Sequence, residues 1–579
     1  MFNDIINFTL LSKNLKKDFT NFKIIKIAIL CDSASQFVTK AIKGIGYEHE
    51  INYEIFEADY NQIYRQAYDL SSELYNFKPD FVIILQSTEK LISKFYITSN
   101  NKVDFANLQL NYIKGICDQI LNNHKCNIII NSFPEFNDSV FGNFSTKVNS
   151  SFVYQIKKLN FELMNLTQSN TNIYLIHLES IFNYLGFKNC YDSKMYIGAD
   201  MVYSLDLLPL LAKYTNDIIL SINGNFKKCL ILDLDNTMWG GIIGDDGLNG
   251  IQVGDFGIGK AYTDLQLWIK ELKNRGIILA VCSKNNEDIA KEPFFNHPEM
   301  KLKLEDISVF VANWENKVDN IKHIQNILNI NFDSIVFLDD NPFEREMVKS
   351  AITGITVPNL PEDPGEYLNY LRSLNLFETA SFTNEDVNRT LLYQEEAKRS
   401  TLQKSFTNEN DFLQSLNMEA HSRPFDNYTI PRIAQLSQRS NQFNLRTIRY
   451  TEEQVKLISE SNNYFTLSLS LKDKFGDYGL VSYVILKRLN STSLFIENWV
   501  MSCRVLKRGI ENYILDLIIE IAKEMNFNYI IGEYLPTKKN ELVKDHYINL
   551  NFTNKGDNQF ELNISKYKQE IKPFIKNIK

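Results

Sequence analysis

Residues 228–247 read KCLILDLDNTMWGGIIGDDG, and the order of apolar and acidic residues here decides how the middle of the chain folds. Cys229 to Leu232 is a short apolar run, which predicts a buried strand. It ends in two acids two residues apart, Asp233 and Asp235, followed by Asn236 and Thr237. In extended backbone, side chains two apart point the same way, so both carboxylates can reach one reaction centre. At the mouth of a parallel sheet they can hold a cation and present one oxygen as a nucleophile.

Reading outward, Ile277–Val281 (IILAV) predicts a second buried strand that runs into Cys282, Ser283 and Lys284. A hydroxyl at a strand end ahead of a helix can donate to a phosphate oxygen. Asn313-Trp314-Glu315-Asn316-Lys317 precedes a helical pattern, and the Lys317 ammonium can offset charge on a phosphoryl group. Ser334–Leu338 (SIVFL) predicts a strand ending in Asp339 and Asp340, oxygen donors suited to Mg²⁺. A strand-end D-x-D, a capping serine and a solvated lysine are each commonplace; the ordered set is not.

The set resembles motifs I to IV of the haloacid dehalogenase superfamily of phosphoryl-transfer enzymes, and DLDNTMWGGIIGDDG resembles its FkbH-like branch. Residue types then imply a mechanism. Asp233 attacks phosphorus, and Asp235 protonates the leaving oxygen and later activates water. Ser283 and Lys317 hold phosphoryl oxygens. The implied Mg²⁺ ligands are Asp233, the backbone carbonyl of Asp235 and an acid of the last motif, Asp339 first and Asp340 second. Segments where this superfamily inserts cap domains are short here, so the 226–375 region is expected to have little or no cap and an open site. The glycines at 240, 241, 244 and 247 suit a tight loop, and Trp239 reads equally as core or site wall.

At 579 residues the chain is too long for one core and predicts about three to four domains. Its 44% apolar and 23% charged residues describe an ordinary soluble protein. The net charge of −8 offers no global field for nucleic acid. Seven scattered cysteines without a CxxC argue against a zinc site or disulfide framework. With no signal peptide pattern and no long apolar run, no membrane association and a cytoplasmic location are expected.

In residues 1–225 strands alternate with helices, which predicts a doubly wound parallel sheet. The reading places strands at 24–30, 51–56, 81–85, 127–130 and 172–176, and a single helix over 62–75. Cys31-Asp32-Ser33 resembles the nucleophile turn of SGNH hydrolases. The histidine base that family uses is missing, since no histidine lies between His177 and His297. The region is read as a degenerate SGNH-like domain in which Ser33 caps the next helix. His177 is read as a satisfied core histidine.

Residues 376–579 open with a helical pattern over 385–403. Strands at 464–470, 479–487 and 493–501, a helix at 510–525 and a strand at 528–532 follow. The order resembles the GNAT acyltransferase fold. The pantetheine-binding loop of that fold is broken here, with Leu506 three before Gly509 and Glu511 in the last small-residue slot. Cys503 follows a strand and precedes Arg504, Lys507 and Arg508. Cations beside a sulfur favour its thiolate. Residue type alone reads Cys503 as structural; the resemblance sets an acyl-carrying thiol against that. Cys282 is the alternative acyl carrier, and His546 a candidate base or a surface histidine.

FkbH-like proteins imply a bifunctional enzyme. It would dephosphorylate 1,3-bisphosphoglycerate and load the glyceryl unit as a thioester on the phosphopantetheine arm of an acyl carrier protein, in secondary-metabolite or polysaccharide biosynthesis. Two alternatives stand beside this: a plain phosphatase on another small phosphoester, and a non-catalytic carrier-protein scaffold.

Overall fold

Short apolar runs bounded by polar turns become the buried strands of three sheets in the computed structural model, which describes residues 6–98, 101–383, 386, 389–403, 405–506, 508–537, 539–568 and 574–578. The protein is a multidomain α/β chain. It divides into two compact units, Met1–Ile219 and Leu220–Lys579.

The first unit holds a parallel sheet of β1 (Lys23–Cys31), β2 (Ile51–Glu57), β3 (Phe81–Leu85), β4 (Asn127–Asn131) and β5 (Ile173–Ile176), in the order β2-β1-β3-β4-β5. All five residues of β3 are buried, as a central parallel strand covered on both faces requires. On one face Ala28, Leu30, Val82 and Ile84 meet Phe105, Ile116 and Leu159 from the helices Phe105–Asn123 and Phe152–Gln168.

Three expectations fail here. The helix read over 62–75 is two short helices, Ile63–Tyr68 and Glu73–Phe77. Between them Asp69 Oδ1 accepts from Ser71 N at 2.9 Å, and the Ser72 hydroxyl donates to Gln66 O at 2.8 Å. Such local bonds compete with the helical ladder. Ser33 does not cap the helix Gln36–Glu48, whose N-cap residue is Ser35 with no side-chain bond. His177 is exposed rather than a core residue, and precedes the helix Leu178–Leu185.

The second unit begins with a four-stranded parallel sheet of β6 (Cys229–Leu232), β7 (Ile278–Ser283), β8 (Val309–Ala312) and β9 (Ile335–Leu338), in the order β8-β7-β6-β9. Helices α1 (Gly259–Asn274), α2 (Lys317–Leu328) and α3 (Pro342–Ala351) follow β6, β7–β8 and β9 in the chain. Between β6 and α1 there is only a loop with one turn of helix, Ile243–Asp246, so no cap domain is inserted there.

Helix α4 (Arg389–Gln403) leads into the second sheet. Its Tyr393 joins the core of the four-stranded sheet, while Leu392 and Leu402 pack against that of the next. The second sheet contains β10 (Met418–Arg423), β11 (Tyr464–Asp473), β12 (Gly476–Arg488), β13 (Ser493–Met501), β14 (Tyr529–Glu533), β15 (Thr553–Gly556), β16 (Gln559–Asn563) and β17 (Ile575–Asn577). Their order is β15-β16-β14-β13-β12-β11-β10-β17. β13 and β14 are parallel and joined through α5 (Ile510–Glu524), whose Ile514, Ile518 and Ala522 are fully buried. The turn between β11 and β12 is Lys474-Phe475. Gly476 opens β12, and Gly479, at φ +60°, sits beside a break in register with β11, where left-handed backbone suits glycine.

Candidate active site

The parallel register of β6 with β9 pairs Leu232 with Leu338, so Asp233 and Asp339 emerge level with each other at the carboxyl edge of the sheet. Asp233 N donates to Leu338 O at 3.0 Å, which pins the two strand ends together. Asp233 is 5% exposed and Asp339 fully buried. Lys317, the first residue of α2, extends its Nζ to 2.8 Å from Asp233 Oδ1 and 2.5 Å from Asp339 Oδ2. One carboxylate oxygen each of Asp233, Asp339 and Asp340 lie within 4.8 Å of one another, close enough to share a cation. Ser283 ends β7, the strand beside β6, and is buried. The structure thus brings Asp233, Ser283, Lys317, Asp339 and Asp340 to one edge.

Asp235 stands differently from its neighbours. Its Oδ1 accepts from Trp239 Nε1 at 2.9 Å and from Ile243 N at 3.0 Å. Its Oδ2 accepts from Asn285 Nδ2 at 3.1 Å. Its side chain is outside the carboxylate cluster, which leaves its backbone carbonyl as the group it could lend a cation. Trp239 is therefore both core and site wall: it is fully buried, and its indole orients the acid. The Trp239–Gly247 loop closes tightly around this arrangement. Gly241 sits at φ +93°, and a Cβ there would meet Asp246 Oδ2 at 2.6 Å. That oxygen accepts from Ile242 N at 2.8 Å.

Sequence reasoning gave no role to Thr237, Asn285 or Arg345. The Thr237 hydroxyl lies 3.4 Å from both Asp233 Oδ2 and Asp340 Oδ1 and accepts from Asp340 N at 3.1 Å. Arg345 Nη1 donates to the carbonyls of Asp339 at 2.9 Å and Asp340 at 2.7 Å, bracing the acidic turn. Asn285 lies two residues after Ser283, in the polar bend that follows β7.

Burial, then the Asp233 charge, pushes Asp339 up to about 7. Burial likewise raises Asp235 and Asp340 above the ordinary carboxylate range. Burial disfavours the Lys317 ammonium, but Asp233 and Asp339 together outweigh it and hold Lys317 above its usual value. A cation among these oxygens would relieve the crowding of like charges. The donor set is hard oxygen throughout and fits Mg²⁺.

The sulfur candidates lie elsewhere. Cys282 is fully buried, and burial pushes its thiol up to about 12. Cys503 lies in a short turn, Cys503–Val505, next to the opposite end of the sheet. Asn329, just past the far end of α2, donates to Cys503 O at 2.8 Å, and the Tyr393 hydroxyl is 3.9 Å from its Sγ. Lys228, the residue before β6, lines the same cleft. From Lys228 to Asp233 is five strand residues, roughly 16 Å. The basic loop expected around Cys503 is only partly realised. Arg504 lines the cleft, Arg508 instead pairs with Glu396 and Asp473, and Lys507 lies outside the described residues. His546 is neither a base nor a surface residue. It is caged by Phe443, Trp499 and Tyr547, and burial holds it down to about 3. Among the described residues no helix is long and apolar enough to cross a membrane.

The family model described as the FkbH N-terminal domain matches residues 26–220. The chain is 52% identical to the N-terminal part of the Bacteroides fragilis protein BF1531, containing its phosphatase domain and solved in complex with Mg. That match covers 65% of this chain and 100% of that one, with a TM-score of 0.63. The ribosomal-protein-S18-alanine N-acetyltransferase of Escherichia coli matches at 12% identity over 26% of this chain and 99% of that one, with a TM-score of 0.21. No curated relative matches the chain.

Proposed function

The chain belongs to the FkbH-like family, and from that premise we propose that it is a Mg²⁺-dependent phosphatase coupled to acyl transfer. Its substrate on this reading is 1,3-bisphosphoglycerate, and its product a glyceryl thioester on an acyl carrier protein. One observation carries the phosphatase half: three carboxylates that can converge on one cation, with Lys317 bridging two of them.

Asp233, with Asp339 and Asp340, would hold Mg²⁺, which neutralises charge on the phosphoryl group when bound. A carboxylate oxygen of Asp233 attacks phosphorus as the bond to the ester oxygen breaks. Asp235, whose raised affinity for a proton comes first from burial, delivers that proton to the leaving oxygen. It then takes one from the water that hydrolyses the aspartyl-phosphate, releasing inorganic phosphate. Lys317 and Ser283 steady the phosphoryl oxygens, a reaction in which positioning and electrostatics supply most of the rate. In the acyl half, the Cys503 thiolate attacks the carbonyl carbon of the acyl phosphate. The carbon–oxygen bond breaks, phosphate leaves with the electron pair, and a thioester remains. The thiol proton goes to solvent. The carrier's pantetheine thiolate then attacks the same carbonyl carbon, the bond to Cys503 Sγ breaks, and the Cys503 thiolate is released to take up a proton. The strand–α5–strand order of the C-terminal sheet supports the GNAT-like reading of that region, and the order β2-β1-β3-β4-β5 supports the SGNH-like reading of the first.

Intact mass after incubation with Mg²⁺ and a 1,3-bisphosphoglycerate-generating system tests the proposal. A thiol-labile glyceryl or phosphoglyceryl adduct on the wild type, absent from Cys503→Ala, is expected. An unmodified wild type that still releases phosphate would leave a plain phosphatase.

A further inference from the structure

The cleft beside Cys503 carries an excess of positive charge that no step described so far uses. Lys228, Arg389, Arg432, Arg439 and Arg504 all line it, and among the described residues no carboxylate does. Behind this wall Asp386 pairs with both Arg439 and Arg389. Asp333 lies close enough to Lys228 for the two charges to favour each other. The cost of the excess shows in the groups themselves. Burial pushes Lys228 down to about 8, and burial with the neighbouring Arg389 pushes Arg439 down to about 9.

Arg504 supplies the second observation. It is 8% exposed, and its Nε reaches Ser502 Oγ at 3.3 Å. Its buried Nη1 has no partner. A buried guanidinium hydrogen left unpaired is costly, and a polyatomic anion with several acceptor oxygens is what removes that cost. Arginine's planar fork matches a phosphate better than it matches a single sulfur.

We infer that this cleft is a phosphate-binding site that seats a phosphate oxyanion against Arg504, Arg389 and Lys228, beside the Cys503 sulfur. It rests on the proposed acyl transfer for the identity of its occupant, since two phosphates could be brought to that sulfur: that of a phosphorylated acyl donor and that of a pantetheine arm. The site is separate from the phosphoryl-transfer centre, on the far side of the same four-stranded sheet.

The test is the rate of Cys503 alkylation by iodoacetamide, read by intact mass on the full chain in EDTA. The other six cysteines are buried, so this sulfur reports on its own cleft. Inorganic phosphate at ten times its Kd should slow alkylation by about tenfold relative to chloride at matched ionic strength. Asp233→Asn should keep that protection. Arg504→Gln and Arg389→Gln, each checked for folding by circular dichroism, should lose it. Protection at lower concentration by 3-phosphoglycerate than by 4′-phosphopantothenate, which carries the arm's phosphate but no thiol to consume the reagent, would assign the site to the small donor, and the reverse order to the carrier arm. Equal rates in phosphate and chloride would overturn the inference, a result that needs no variant. So would protection that survives both arginine substitutions. Alkylation needs no turnover, so a failure of the proposed enzymatic activity would leave this readout unchanged.

Discussion

The indole of Trp239 donates to Asp235 Oδ1 at 2.9 Å, four residues along the same loop. This bond and those from Ile243 N and Asn285 turn Asp235 away from the carboxylate cluster, giving two acids of one motif different surroundings. Removing the indole donor should both loosen Asp235 and raise its pKa further, because that bond favours the carboxylate form. Trp239→Phe should therefore lower kcat by about tenfold, the worth of one buried hydrogen bond. It should also move the acid limb of the pH–rate profile upward. A profile unchanged in position would contradict the bond's role.

Thr237 supports the cation site without being one of its carboxylates. Thr237→Ala should weaken Mg²⁺ binding by about 10- to 100-fold, the usual cost of losing an outer partner of a metal ligand. Thr237→Ser, which keeps the hydroxyl, should restore it. Isothermal titration with Mg²⁺ measures both.

Lys317 separates two roles that one activity assay would merge. Lys317→Met leaves Asp233 and Asp339 facing each other without their shared ammonium, a loss that typically costs about 3–5 kcal/mol for a buried pair. Thermal unfolding in EDTA should show a clear drop in Tm, part of which Mg²⁺ restores. Phosphatase kcat should remain down by about 10²–10³-fold with saturating Mg²⁺, the scale of removing one charge-stabilising group.

His546 makes stability depend on pH in a definite direction. Its folded value is about 3 against an ordinary 6.5, so the unfolded chain binds the extra proton between those limits. Stability from this group is intact above pH 6.5 and is lost as pH falls towards 3. His546→Leu should flatten the fall in Tm between pH 6.5 and 4 relative to wild type, as calorimetry would show. Parallel curves would mean that the ring is not held neutral.

The phosphoryl-transfer edge was legible because each of its strands is an apolar run cut off by a chemically distinctive residue: Asp233, Ser283, Asp339. Three things were not. Local polar competition at Asp69–Ser72 broke a helix that the apolar periodicity over 62–75 supports. β10 (Met418–Arg423) was missed because its exposed His421 and half-buried Glu419 dilute the alternation expected of a strand. The setting of Cys503 was hidden for a different reason. Lys228 Nζ donates to Arg439 O at 2.8 Å across 211 positions, and Arg508 is drawn off to Asp473 and Glu396. Linear spacing does not encode such pairings. A basic loop in sequence therefore became one arginine beside the sulfur and three more with a lysine from elsewhere in the chain.

Strand β6 keeps Asp233 and the wall of the Cys503 cleft at its two ends. A group attached at one end cannot be reached from the other without leaving the protein or riding a mobile carrier. Defects at the two ends should then complement. Asp233→Asn and Cys503→Ala, each unable to form the final dephosphorylated thioester alone, should regain it when mixed, each copy performing the half the other lacks. Chromatography of carrier-bound product from the mixture would show it, and a mixture as inactive as its components would mean that both halves must occur within one molecule.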